Sequence, residues 1–276
     1  MSRSLNGSGR FQNQPIINFS NSNAIWKQAT GQSSVTSDAA RFMSPEPSIH
    51  PLRAGIEAAK ATFVPGLVVQ TVMVLVVLTF YKVPEARPFF DRIAHWKANG
   101  GLVFPFLSTA VAGGLLPELL RIVFFQNGQM RRQNWANLAF ALPYWGVQGI
   151  WVDLLYRGQA VWFGNDAHFW TIVKKVCVDQ FLYNPLLAAP CGVTLYEWKH
   201  RGYRWSREFL TWHWYGTRIV PGLIATWAVW IPVVAIVYCL PQTLQIPIFC
   251  LALTFWVTLF TWMTEILAPR RNQVSA

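Results

Sequence analysis

The chain has 276 residues, of which 53% are hydrophobic and 15% aromatic, whereas only 13% are charged. Charged residues make up about a quarter of an average soluble domain, so this composition excludes an ordinary soluble protein and indicates a membrane protein. The formal net charge of +11 would suit nucleic-acid binding, but the basic residues flank apolar segments. That placement predicts no nucleic-acid partner and favours contact with anionic lipid head groups.

Residues 1–55 are rich in Ser, Asn, Gln and Gly and carry three prolines near their end. Such a segment cannot bury enough apolar surface to offset its ordering entropy, which predicts a flexible polar tail. The first acidic residue is Asp38, so both an organellar transit peptide and a plain disordered tail remain open. Residues 56–268 are predicted to form the transmembrane domain, and residues 269–276 a short basic C-terminal tail.

Six apolar segments follow the tail, each close to the roughly 20 residues with which a helix crosses about 30 Å of hydrocarbon. They predict an all-α fold, a multi-pass transmembrane helix bundle of about six spans. The predicted spans are residues 62–81, 102–125, about 137–156, about 171–195, 223–240 and 247–267.

An aromatic segment separates the fourth and fifth spans. Trp205, Phe209 and Trp212 follow helical spacing, which predicts a helix with one aromatic face lying in the membrane interface. The alternative is an ordinary belt of aromatic residues at the ends of the spans.

The distribution of Lys and Arg predicts the orientation. With six spans, 16 of these residues fall on the side of the termini and 7 on the opposite side. The positive-inside rule therefore predicts both termini on the cytoplasmic or matrix side.

Four of the predicted spans carry a polar stripe at helical spacing. An ionisable group in lipid costs at least about 2.5 kcal/mol near the bilayer centre, so it normally faces the bundle interior or water. Two interpretations follow: the stripes line a pore or solute pathway, or they only hydrogen-bond neighbouring helices. The candidate pathway residues are Asp179, Gln180, Tyr183, Asn184, Gln148, Tyr144, Glu118, Arg121, Thr258 and Glu265.

Two further features modify the spans. Glu118 and Arg121 are one turn apart near the end of the second span, which favours a structural salt bridge at the interface. Prolines remove a backbone hydrogen bond and disturb the carbonyl four residues back, so helix kinks are predicted at Pro185, Pro232 and Pro241.

The chemistry of an enzyme is not indicated. The sequence contains no nucleophile–base pattern, phosphate-binding loop or dinucleotide fingerprint in a usable context. Its five histidines and four cysteines lack the spacing of metal ligands. We therefore predict no catalytic residue, no cofactor and no metal.

The segment "KKVCVDQFLYNP", residues 174–185, resembles a signature of the Mpv-seventeen/peroxisomal membrane protein family through Lys174, Lys175, Asp179, Gln180 and Pro185. Upstream, "GVQGIWVDLLYR" is similar to the third-span segment of that family. Downstream, "WAVWIPVVAIVYCLP" and the residues from Trp256 to Trp262 resemble its last two motifs, with departures at Ile231 and Gln245. The similarity covers about residues 101–262.

The resemblance implies an integral protein of the mitochondrial inner or another organellar membrane, and a weakly selective channel or transporter for small solutes or metabolites. A bacterial plasma membrane fits the same charge pattern. The competing class is a non-conducting structural protein of the membrane, and an intramembrane enzyme is the least favoured reading. The expected partners are membrane lipids and small solutes, with a homo-oligomer left open.

Overall fold

The computed structural model describes residues 51–267, except for the side chains of residues 260–267 and of five residues in the first helix. This range contains helices and turns and no β-strand. The helices in chain order are α1 (Pro51–Ala61), α2 (Phe63–Lys82), α3 (Arg87–Gly100), α4 (Val103–Phe125), α5 (Arg132–Phe163), α6 (residues 169–200), α7 (Trp212–Tyr238) and α8 (Gln242–Leu267).

The predicted fold class is confirmed. In the described part of the chain, five helices are long and apolar enough to cross a membrane: α2, α4, α5, α7 and α8. The fourth predicted span, residues 171–195, lies within α6, which is equally long but is not among those five. Its row of polar residues around Asp179 lowers its mean hydropathy, and it packs between α5 and α7.

Two shorter helices accompany these six. The first, α1, packs along α7 and begins at Pro51, inside the predicted tail; the remainder of both predicted tails lies outside the described residues. The other, α3, was not predicted. It places Phe90, Ile93 and Lys97 on the face that packs against α8, whereas Asp91 and Arg92 on the opposite face are exposed.

The aromatic segment that was predicted to form an interfacial helix does not form one continuous helix. Arg207–Leu210 is a short 3-10 turn, and Trp212 already belongs to α7. Trp205 and Trp212 are exposed, whereas Phe209 is buried against Trp214. The three aromatic residues therefore do not share one face, because the chain must turn sharply to bring α7 back along α6.

The apolar core lies where α2, α7 and α8 meet. Met73, Val233, Val237, Ile246 and Ala252 are fully buried there. The outer surfaces of α2, α4, α5 and α6 expose many large aliphatic side chains. An exposed apolar surface of this extent is unfavourable in water, whereas it suits contact with lipid chains. The protein is an integral membrane protein with several spanning helices.

Helices α4 and α5 approach each other closely. A Cβ atom on Gly149 would overlap the carbonyl oxygen of Pro105 and the hydroxyl of Thr109, and one on Gly114 would lie 3.2 Å from the backbone of Ala141. Small residues therefore allow the two backbones to come together, and this contact holds the polar stripe of α5 next to that of α4.

Candidate functional site

A cavity of about 640 Å³ lies between α4, α5, α6, α7 and α8. Exposed residues, Gln133 and His200, line it at one end, which we call the mouth. At the opposite end, the inner end, the lining residues Val152, Tyr156 and Asp179 are all buried. The mouth and the inner end are about 20 residues apart along α6, or roughly 30 Å at 1.5 Å per residue.

The structure brings most of the predicted pathway residues together around this cavity. Thr258 does not line it, although its neighbour Val257 does. The side chain of Glu265 lies outside the described residues. The predicted residues that line the cavity are Glu118, Arg121, Tyr144, Gln148, Asp179, Gln180, Tyr183 and Asn184. Whether a solute passes along them stays a prediction.

A network around the buried carboxylate of Glu118 joins three helices near the mouth. Arg121 donates to this carboxylate at 2.9 Å, which gives the predicted ion pair, and the amides of Asn134 and Asn137 donate at 2.6 and 3.1 Å. The ammonium of Lys199 in α6 donates to the side-chain oxygen of Asn137 at 2.7 Å. Glu118 therefore links helices as well as lining the cavity.

Ion pairs hold the loop after α6 in place at the mouth end of the bundle. Arg201 donates to Glu197 at 2.8 Å and to Glu208 at 3.1 Å. The hydrogen bond to Glu197 raises the pKa of the Arg201 guanidinium. These bonds tie the end of α6 to the 3-10 turn that leads into α7.

The middle of the cavity is lined by aromatic rings that carry polar atoms. Gln148 donates to the hydroxyl of Tyr144 at 2.9 Å, and the indole N–H of Trp145 donates to the hydroxyl of Tyr196 at 3.2 Å. The rings of Tyr144 and Tyr196 meet edge to face with centroids 5.2 Å apart. In the middle of the cavity, α5 and α6 are therefore joined by a hydrogen bond and by ring contacts between their side chains.

The inner end is built around Asp179. One of its carboxylate oxygens accepts from the hydroxyl of Tyr238 at 2.7 Å, and the other accepts from the amide of Gln180 at 2.8 Å. The i, i+4 spacing also allows Lys175 to pair with Asp179 at the membrane boundary, but this ion pair is not formed. Lys175 is buried instead, with its ammonium 5.7 Å from the ring centre of Tyr238, because α7 packs over that face of α6.

Pro185 acts through a change of hydrogen-bond register rather than through a simple kink. Residues Asp179–Ala188 form a π-helical segment, in which each N–H bonds to the carbonyl five residues back. The carbonyl deprived of a donor by Pro185 is therefore that of Gln180, not that of Phe181. The indole N–H of Trp227 supplies the missing donor at 3.0 Å.

The other two predicted kinks differ from each other. Pro232 lies inside α7, and a kink at this position stays a prediction. Pro241 lies in the turn between α7 and α8 and marks a helix boundary rather than a kink. The carbonyl of Pro185 itself accepts from the hydroxyl of Tyr215 at 2.9 Å. Side chains of α7 therefore donate hydrogen bonds to two backbone carbonyls in the π-helical segment of α6.

Next to the inner end, several buried polar side chains do not line the cavity. Lys97 of α3 forms an ion pair with Asp153 at 2.9 Å, and Arg157 donates to the other oxygen of that carboxylate at 2.8 Å. Gln159 and Lys175 are also buried, about one turn beyond Tyr156 on α5 and beyond Asp179 on α6. Gln159 and Lys175 therefore lie between the inner end of the cavity and the far ends of α5 and α6.

The sequence prediction missed Tyr156, Tyr238, Lys97 and Asp153. One signal was present: the stripe through Asn137, Ala141, Tyr144 and Gln148 continues at the same spacing through Val152 and Tyr156, and all six line the cavity. The sequence contained no such signal for Tyr238 or Lys97, because the contact of each residue with its aspartate depends on which helices become neighbours.

No group of three or more His, Cys, Asp or Glu residues able to hold a metal occurs among the described residues. All four cysteines are free thiols, and Cys250 bonds to the hydroxyl of Ser108 at 3.4 Å. Among the described residues, the polar groups at the cavity are therefore mainly carboxylates, amides and aromatic hydroxyls.

Fold and site together define a multi-pass helical membrane protein with a polar and aromatic cavity along the bundle axis. Comparison of the chain with protein-family models, with curated proteins and with solved structures finds no match.

Proposed function

We propose that this protein moves small polar solutes across a membrane through the axial cavity. The observation that carries the proposal is the cavity itself, which follows the inner faces of five helices from exposed residues at the mouth to buried Asp179. Such a space has a volume within the range of about 300–1,000 Å³ common for small-molecule sites. Polar groups from α4, α5, α6 and α7 line it, where lipid-facing residues would be apolar.

The buried side chains at and beyond the inner end bear on the type of transport. A solute that enters from the mouth meets the buried Tyr156 and Asp179, and beyond them the buried Gln159 and Lys175, before it reaches the far ends of α5 and α6. Passage therefore requires these side chains to part, so we propose a gated channel or a carrier in place of a permanently open pore. The relationship to the Mpv-seventeen/peroxisomal membrane protein family belongs to the same proposal and rests on the motif residues named above.

The competing proposal is a non-conducting structural protein. The network that joins Glu118, Asn134, Asn137 and Lys199 across α4, α5 and α6 supports it, because such bonds stabilise a helix bundle whether or not a solute passes. The two proposals differ in what they expect when the cavity is filled.

Two glycines of α7 provide that test. A Cβ on Gly222, which lines the cavity, would meet no atom within 4 Å, and the same holds for Gly216, which does not line it. Gly222→Leu should therefore place a side chain at the cavity with no clash at its Cβ, and Gly216→Leu, whose Cβ is equally free, is the matched control. Both changes raise helix propensity by a similar amount.

The measurement is solute flux into proteoliposomes and conductance in planar bilayers, with a panel of small neutral, cationic and anionic solutes. We expect flux through the wild-type protein, a loss of at least several-fold in Gly222→Leu, and wild-type flux in Gly216→Leu. Wild-type vesicles that pass none of the solutes, together with silent bilayers at several potentials, would refute transport and leave the structural proposal.

A further inference from the structure

The carboxylate of Asp179 has no cationic partner among the described residues. It is only 6% exposed, its oxygens accept one hydrogen bond each from Tyr238 and Gln180, and no Lys, Arg or His nitrogen described forms an ion pair with it. A buried carboxylate normally pairs with a cation or takes up a proton. Because this one lines a cavity, a cation in the cavity can reach it.

Aromatic rings form a continuous wall next to this carboxylate. The ring of Tyr238 meets that of Tyr156 with centroids 5.2 Å apart, and Tyr156 meets Phe249 at 6.4 Å. Phe249 in turn meets Trp230 at 5.6 Å, and Trp230 meets Trp256 at 6.5 Å. All of these except Tyr238 line the cavity. Faces of Trp, Tyr and Phe attract cations within about 6 Å of the ring centre.

A third observation concerns Tyr156. It is 1% exposed and lines the cavity, and its hydroxyl has no hydrogen-bond partner among the residues that the structure describes. A buried hydroxyl without a partner costs free energy, which a ligand in the cavity with a polar group can recover. The unsatisfied hydroxyl and the carboxylate without a counter-charge lie at the same end of the cavity.

From these three observations we propose that the inner end of the cavity binds a small organic ammonium ion, with Asp179 as its counter-charge and the wall of Tyr156, Phe249, Trp230 and Trp256 against its alkyl groups. The proposal rests on the proposed function, since it names the class of solute that the same cavity accepts. Binding, however, does not require that the solute crosses the membrane.

Other ligands fit the inner end less well. A dehydrated alkali or divalent ion needs several oxygen ligands close together, and the cavity wall near Asp179 is mainly aromatic and aliphatic. The basic residues at the mouth, Arg121 and Lys199, would favour an anion there. Lys199 lies roughly 30 Å from Asp179 along α6, and Arg121 belongs to the same network at the mouth, so an anion bound there would not lie against Asp179.

The test measures binding of choline to the purified full-length protein in detergent by equilibrium dialysis. Choline keeps its charge at every pH, and 3,3-dimethylbutan-1-ol is its uncharged isostere. We expect saturable choline binding, with the isostere bound at least about tenfold more weakly. Asp179→Asn should weaken choline binding at least about tenfold, whereas Asp91→Asn, the same change at an exposed position outside the cavity, should leave it unchanged.

A second variant keeps the test decisive if Asp179→Asn fails to fold. Phe249→Leu retains an apolar side chain but removes a ring, so it should weaken choline binding about two- to tenfold and leave binding of the isostere unchanged. Equal affinity for choline and its isostere, full binding by Asp179→Asn, or displacement of choline by equimolar sodium or potassium would each overturn the proposal.

The outcomes separate the two proposals. Choline binding without flux of any solute refutes transport and leaves the ammonium site standing. Flux of other solutes without saturable choline binding refutes the ammonium site and leaves transport standing.

Discussion

The buried ion triad at the far end of the bundle allows a quantitative prediction. The side chains of Lys97 and Asp153 are 3% and 0% exposed, whereas that of Arg157 is 43% exposed. Asp153→Asn removes the shared carboxylate. Arg157 can then turn to water, but the ammonium of Lys97 stays buried with no acidic partner among the described residues.

The expected cost follows from that asymmetry. Removing one partner of a buried ion pair costs about 3–5 kcal/mol, because a buried charge is left uncompensated, so Asp153→Asn should destabilise by that amount. Lys97→Met leaves Asp153 bonded to Arg157 and should cost less, about 1.5–3 kcal/mol. Arg157→Met removes only a half-exposed partner, and its cost should stay within about 1 kcal/mol.

The assay is heat-induced unfolding of the purified variants in one detergent. A loss of 3–5 kcal/mol corresponds to a fall in Tm of about 6–20 °C for a domain of this size. The double variant Lys97→Met/Asp153→Asn removes both buried charges and should be more stable than Asp153→Asn alone. The reasoning fails if Arg157→Met lowers Tm as much as Asp153→Asn, or if the double variant is the least stable of all.

Two further variants probe the packing that positions the cavity. Gly149→Ala should destabilise by about 1–3 kcal/mol, since the added Cβ would overlap Thr109. Gly158→Ala in the same helix, whose Cβ would meet no atom closer than 4.0 Å, should be neutral or gain up to about 1 kcal/mol; equal Tm values for the two would contradict the close contact of α4 and α5. Trp227→Phe should cost about 1–3 kcal/mol, because the carbonyl of Gln180 loses the indole N–H that donates to it, and an unchanged Tm would show that this bond is dispensable.

The spans could be predicted from the sequence because a spanning helix forms all its backbone hydrogen bonds within itself, and because the length of its run of apolar residues matches the thickness of the membrane. The polar stripes could be predicted for the same reason, since they depend only on local spacing. Tyr144 and Gln148, or Asp179 and Tyr183, share a helix face because they are four residues apart. The helix α3 was not predicted because it has only 14 residues and four of them are charged. Its inner face also ends in a lysine that is buried by pairing with a distant aspartate.

The sequence by itself therefore determined that this is an all-helical membrane protein and which faces of its helices are polar. Tertiary structure decided the partners: Tyr238 for Asp179, Trp227 for the carbonyl of Gln180, and Lys97 for Asp153. The physical reason is that helix formation depends on hydrogen bonds between residues four or five apart. The neighbours of a polar group, by contrast, depend on how whole helices pack, and packing joins residues that no local spacing relates.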